Sequence, residues 1–266
     1  DGAPIATLLA YACHPTVLGA DNRLWTADWH GPLRARLLAA RPGAVALTLT
    51  GCTGDANVGH SAASSISLAS SDARSFAAAE AAGSRIAGAA LAARLRDLTG
   101  PVACTTCMVS LGYARREPAP NPELGQIWAR EAEAETDPAR KALLHIWVAW
   151  AKANPAPDPD ATLNVPVAVL KWGELEILCL PGEMFSATGP RLRAAIGNPG
   201  AIVIAYSGDN PGYIPGREEY EYGGYEVDEA HRSYGQPASF APGSAERIMD
   251  AAMNLLRGLR SEGRKR

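Results

Sequence analysis

The sequence predicts an α/β protein: a mixed β-sheet flanked by helices, with the active site at strand exits. Three observations carry this expectation. Short apolar runs with strand character recur along the chain, at Ile5–Cys13, Ala44–Thr50, Val102–Leu111, Leu163–Trp172, Leu175–Leu180 and Ala201–Ala205. Segments with helical spacing separate them. Several of the strand-like runs end abruptly at a polar or glycine-rich stretch, where sites of α/β proteins commonly lie.

Composition sets the frame. The chain has 266 residues, 47% apolar and 20% charged, with a formal net charge of -3. These are the proportions of a soluble globular protein with room for a substantial core. The charge balance gives no reason to expect nucleic acid as a partner. No stretch approaches the ~18 uninterrupted apolar residues of a transmembrane segment. Five cysteines do not make a disulfide scaffold at this length. Cys104-Thr-Thr-Cys107 has CxxC spacing but lies in a strand-like run with no second pair, so it reads as structural.

Taken in order, Ile5–Cys13 is a strand that His14-Pro15-Thr16 ends, because Pro15 lacks an amide hydrogen and biases His14 toward extended backbone. A lone His is more often an ordinary one than a ligand, and His14 at this strand exit leaves both readings open. Asp28 is placed to cap a helix running to about Ala40, with Leu33, Leu37 and Leu38 on one face. Ala44–Thr50 is a strand leading into Gly51-Cys-Thr-Gly-Asp-Ala-Asn-Val-Gly-His60. Asp55, Asn57 and the glycines suit either a ligand-approaching loop or a simple polar turn. The Ser- and Ala-rich residues 61–72 read as a mobile loop. A long Ala-rich helix is expected over 73–98, capped by Asp72 and packing through Phe76, Ile86 and Leu91.

The strand at Val102–Leu111 is followed by a linker over Pro118–Pro122 and then by one or two helices over 123–153. Their Trp128, Leu143, Leu144, Trp147 and Trp150 read as core anchors, while His30 and His145 read as structural or solvated. After a second linker at Pro155–Pro159, Leu163–Trp172 and Leu175–Leu180 form a hairpin across Gly173-Glu174. Glu183 sits at the next strand exit, and Met184–Ile196 has helical character, so the helix dipole alone explains an acid there. The strand at 201–205 precedes Tyr206–Glu226, a glycine- and proline-rich loop holding five tyrosines. A loop of that length is functional or disordered, and its aromatic content argues against disorder. Tyrosines that merely pack on the body are the plain alternative. Ala245–Leu259 is a closing amphipathic helix, and a basic tail follows it. If the exits at His14, Gly51, Glu183 and Tyr206 share one edge of one sheet, a His, a Glu and Tyr-rich loops meet there and suit a metal, although no HExxH or paired His is present.

These segments, read together, resemble the neutral/alkaline ceramidase family. The resemblance runs in order through Cys13-His14-Pro15-Thr16, Thr26-Ala-Asp28 with Gly31, Gly54-Asp55-Ala-Asn57, Leu180-Pro-Gly-Glu183, Gly212-Tyr213-Ile214, Glu218-Glu219-Tyr220 and Tyr225-Glu226. It implies a zinc-dependent amidase that splits a linear N-acyl bond in a small-molecule substrate, secreted or periplasmic. By the same resemblance His14, Glu183 and Tyr213 are zinc ligands and Tyr225 stabilises the oxyanion. Asp55 and Asn57 line the site or orient His14. The family's first zinc His, together with an Arg and a further His near the substrate, lies upstream of the segments matched here. The expectation is a single α/β catalytic domain over 1–266 lacking its N-terminal portion, which an N-terminal subunit of the same precursor supplies after proteolytic processing, giving a heterodimer. The family's Gly-Asp-Val-Ser-Pro motif reads Gly54-Asp55-Ala56-Asn57-Val58, and its C-terminal β-sandwich has no counterpart. An amidase or esterase on a small non-lipid substrate and a metal-free binding subunit are the competing readings.

Overall fold

The computed structural model describes residues 4–65, 67–94, 98–115, 117 and 119–263. The far end of the helix expected over 73–98, Pro118 of the first linker and the last residues of the basic tail fall outside them. The chain forms two compact units, Asp1–Gly51 with Ala56–Asp97, and Cys52–Asp55 with Leu98–Arg266.

In the first unit, strands β1 (Ala6–Tyr11) and β2 (Val45–Thr50) pair in parallel, Ala6 opposite Val45 through Tyr11 opposite Thr50. Helix α1 (His30–Ala40) and helix α3 (Phe76–Leu91) pack together, and the short helix α2 (Ala62–Ser65) lies in the Ser- and Ala-rich segment between β2 and α3. The core is Val17, Trp29, Leu33, Leu37, Ala46, Ala79 and Ala87. Gly83 permits the close approach of the two helices, since a Cβ there would meet the Trp29 carbonyl and stand 2.8 Å from Leu33 N.

Several local expectations are corrected here. Leu38 is exposed, and so are Phe76 and Leu91, because α3 turns Ala79, Gly83 and Ala87 inward instead. Small side chains on that face are what let α1 come close. The cap of α3 is Ser75, whose hydroxyl accepts from Ala78 N at 3.2 Å, not Asp72. Asp28 does not occupy the N-cap of α1, which is Trp29. It sits at φ 51° with its carboxylate accepting from Val17 N (3.2 Å), Leu18 N (2.8 Å) and Trp29 N (2.8 Å). It thus fastens the loop after His14.

The second unit holds a mixed five-stranded sheet in the order β7-β5-β4-β3-β9. Strand β3 (Val102–Ala114) runs antiparallel to β4 (Thr162–Trp172), and β4 antiparallel to β5 (Leu175–Cys179), across the expected turn at Gly173. β7 (Ile202–Ile204) joins β5 in parallel, and β9 (Ser239–Phe240) closes the other edge. Val165, Val167 and Val169 of β4 pack against Ile248, Ala252 and Leu256 of helix α7 (Ser244–Gly263). Helices α4 (Asn121–Ala134) and α5 (Pro138–Ala153) form a hairpin whose core includes Trp128, Leu144, Trp147 and Trp150, as their spacing predicts. The division between them falls at Asp137, whose side chain caps α5 through Ala139 N and Arg140 N. Cys104 and Cys107 are free, and three residues apart on a strand they project to opposite faces.

The helix expected over Met184–Ile196 is shorter. Glu183–Met184 is a two-residue strand, β6, parallel to β8 (Tyr213–Ile214), and the helix is α6 (Thr188–Ile196). The strand exits therefore do not share one sheet edge. His14 follows β1, Tyr206 follows β7, and Glu183 belongs to a small third sheet. Among the described residues no helix is long and apolar enough to cross a membrane.

Candidate active site

The second unit gathers its polar chemistry around Glu183. Gly182 (φ 62°) and Gly212 (φ 110°) take left-handed backbone conformations that admit glycine freely, and each directly precedes one strand of the β6–β8 pair. The resulting register places Glu183 directly opposite Tyr213. Glu183 N donates to the Gly212 carbonyl at 2.9 Å.

Glu183 is 3% exposed. Its Oε2 accepts from the Tyr206 hydroxyl at 2.7 Å, and its Oε1 accepts from the Tyr234 hydroxyl. The Tyr206 hydroxyl also lies 3.0 Å from Thr53 Oγ1. The Tyr213 ring meets those of Tyr225 and Tyr234 edge-on, each with centroids 6.0 Å apart. Four phenols thus surround one carboxylate.

The electrostatics follow from that arrangement. Burial, and then the charge of Glu183, push the Tyr206 and Tyr213 phenols far above the usual tyrosine value. Burial and the hydrogen bond to Glu183 do the same for Tyr234, and Tyr225 is raised by burial and Glu183. All four are neutral hydroxyls at neutral pH, able to donate to an anion.

The loop after β2 supports this site from behind. Gly54 N donates to the Met184 carbonyl at 2.9 Å, and a Cβ on Gly54 would stand 2.8 Å from the Phe185 ring. The Asp55 carboxylate accepts from Ser186 N and from Ser186 Oγ (3.0 Å). Asp55, expected to line the site or orient His14, fixes the 183–186 segment. Asn57 belongs to the first unit and closes its own turn, accepting from Gly59 N (2.8 Å) and His60 N (3.1 Å). His14 is also in the first unit. Its N donates to the Ala56 carbonyl (2.9 Å), and its carbonyl accepts from Trp29 Nε1 (3.1 Å).

Of the expected site residues, then, Glu183, Tyr213 and Tyr225 come together in the second unit. Tyr234 was not anticipated, and Tyr206 was anticipated only as a strand exit. A buried carboxylate flanked by neutral phenols, with a further phenol on the paired strand, is an oxygen-lined anionic spot. Its oxygen donors would suit a cation, which would favour the phenolate form of Tyr213. Among the described residues no three of His, Cys, Asp and Glu are grouped to hold a metal. The set implied by the resemblance contributes one imidazole, one carboxylate and one phenol from this chain.

No known family model matches the chain, and no curated protein matches it in sequence. Solved structures do match. One is a ceramidase complexed with C2, with a TM-score of 0.63 and 16% identity over 97% of this chain and 46% of that one. Another is the neutral ceramidase from Pseudomonas aeruginosa, with a TM-score of 0.58 and 17% identity over 96% of this chain and 44% of that one. The chain spans less than half the length of these structures, and its fold is the one that their matching portions share.

Proposed function

We propose that this chain carries part of the catalytic machinery of a zinc-dependent amidohydrolase that cleaves a linear N-acyl bond. The observation behind this reading is Glu183, a buried carboxylate ringed by phenols in a fold shared with ceramidases. Glu183 and Tyr213 are the ligands this unit offers, and the sequence resemblance adds His14, with a second imidazole from the upstream part of the protein. A zinc ion held by these residues would supply Lewis-acid polarisation of an amide carbonyl and acidify water toward a pKa of ~7.

The chain's own residues do the rest. Tyr206 and Tyr234 orient Glu183 by donating to its two oxygens. Tyr225, a neutral donor beside Tyr213, hydrogen-bonds the carbonyl oxygen as negative charge develops there, a contribution on the order of 3 kcal/mol for a well-placed donor. Asp55 holds the 183–186 segment against relaxation. The substrate is an N-acyl amide.

The test is Glu183→Ala in the full-length protein, with zinc per chain and hydrolysis of a panel of N-acyl amides as readouts. Loss of zinc and of hydrolysis with the far-ultraviolet spectrum unchanged is the expected result. Zinc retained at full stoichiometry, or undiminished turnover, overturns the assignment.

A further inference from the structure

The α4–α5 helical hairpin takes no part in the chemistry above, yet it holds a buried charge cluster. The side chains of Arg232 and Glu117 are 7% and 5% exposed, with Nη2 and Oε2 2.8 Å apart. The guanidinium carbon stands 4.7 Å from the ring centre of Trp128, 4.7 Å from that of Trp147 and 5.8 Å from that of Trp150. His231 Nε2 lies 3.0 Å from the other oxygen of Glu117. Burial lowers the pKa of His231, so Arg232 is the cation that faces Glu117 at neutral pH. The same short segment is fastened twice more. Trp150 Nε1 donates to the Gln236 carbonyl at 2.6 Å, and the Tyr113 hydroxyl to Gln236 Oε1 at 2.7 Å.

We infer that Arg232, locked among three tryptophans and against Glu117, is a positioning residue that sets Tyr234 and Tyr225 around Glu183. The argument is one of connectivity and cost. Tyr225–Glu229 is a π-helical turn that runs directly into the tight turn Ala230–Arg232, and Tyr234 follows two residues later, its N donating to the His231 carbonyl at 3.2 Å. Arg232 therefore pins the chain between the two tyrosines. A buried ion pair adds little stability over well-packed apolar side chains. What a guanidinium adds is geometry, because its planar fork and faces are held from several directions at once. An apolar side chain would anchor the loop without fixing its rotation.

The inference rests on the reading of Glu183 as the functional carboxylate, and its test separates the two. In the full-length protein carrying 3-fluorotyrosine, with signals assigned through Tyr234→Phe and Tyr225→Phe, Arg232→Ala is expected to shift or broaden both resonances while exposed Tyr222 stays in place. In the same variant kcat on an N-acyl amide falls on the order of 10- to 100-fold with KM within about twofold, the signature of misplaced groups, and Arg232→Lys restores part of it. Unmoved Tyr234 and Tyr225 resonances overturn the inference, as does a fall in turnover carried wholly by KM. If Arg232→Ala does not fold, Glu117→Gln, which leaves Arg232 among the tryptophans, must move the same two resonances or the inference fails. If the unaltered protein holds no zinc and cleaves no amide, the catalytic reading falls, and the fluorine signals still decide whether Arg232 places the tyrosines.

Discussion

Glu183 exchanges water for two phenol hydroxyls, and that exchange has a measurable consequence. A hydrogen bond to a charged group contributes about 1.5–3 kcal/mol, and a buried acceptor left short of its donor costs as much. Tyr206→Phe and Tyr234→Phe each remove one donor from a carboxylate that is 3% exposed. Each is expected to lower unfolding free energy by about 1.5–3 kcal/mol in urea titrations, whereas Tyr222→Phe, at an exposed position, stays within about 0.5 kcal/mol. Similar losses for all three would refute the ring of donors. Glu183 was legible as an acid at a strand exit, directly after Pro181-Gly182, whereas Tyr213 was singled out only by the resemblance that Gly212-Tyr213-Ile214 carries. Tyr234 was not, since it lies past the loop that drew attention and reaches Glu183 only through tertiary placement. The five loop tyrosines divide between the two readings the sequence left open. Tyr206, Tyr213 and Tyr225 join the site, Tyr220 packs and donates to the Phe240 carbonyl at 2.6 Å, and Tyr222 faces solvent.

At the scale of elements, the strong periodic signals held and the caps did not. The hairpin across Gly173 and the Trp-anchored helical pair needed only local pattern and turn chemistry. Residues 184–187 have helical spacing but not helical structure, because Met184 pairs with Ile214 and its carbonyl is taken by Gly54 N. Those partners lie far away in sequence, and periodicity carries no trace of them. The cap of α3 is a finer case, with two capping residues, Asp72 and Ser75, three positions apart. Ser75 Oγ satisfies Ala78 N, while Asp72 lends its carbonyl to Ser75 Oγ at 2.7 Å. Ser75→Ala is therefore expected to cost about 1 kcal/mol and Asp72→Ala a few tenths at most, read from thermal midpoints. The reverse order would restore Asp72 as the cap. Gly83→Ala, ordinarily favourable inside a helix, is expected to destabilise by about 1–3 kcal/mol, since the added methyl meets α1 backbone. A stabilised variant would show that α1 and α3 are not in close contact.

The whole chain divides in a way that alternation alone does not reveal. Strand-like runs announce strands, but nothing in an apolar run names its partner: the mixed sheet flanked by helices was expected and is present with five strands, while among the described residues β1–β2 and β6–β8 form separate two-stranded sheets. The two units differ in how completely their sheets are covered. β4 lies between β3 and β5, with Val165, Val167 and Val169 at 0% exposure. β1 and β2 pair only with each other among the described residues, and Ile5, Leu8, Tyr11, Val45 and Leu47 stand exposed on or beside them. Parallel strands are ordinarily buried on both faces, and a two-stranded sheet is marginal in water. Local opening is easiest where apolar contacts are few and backbone hydrogen bonds face solvent. In the 266-residue chain, the amides of Leu8, Leu9 and Ala10 are thus expected to exchange with deuterium at least tenfold faster than those of Val165, Val167 and Val169, after correction for intrinsic rates. Tenfold corresponds to about 1.4 kcal/mol in opening free energy. Equal protection across both sets would mean that β1 opens only when the larger sheet does, and that the two units unfold as one.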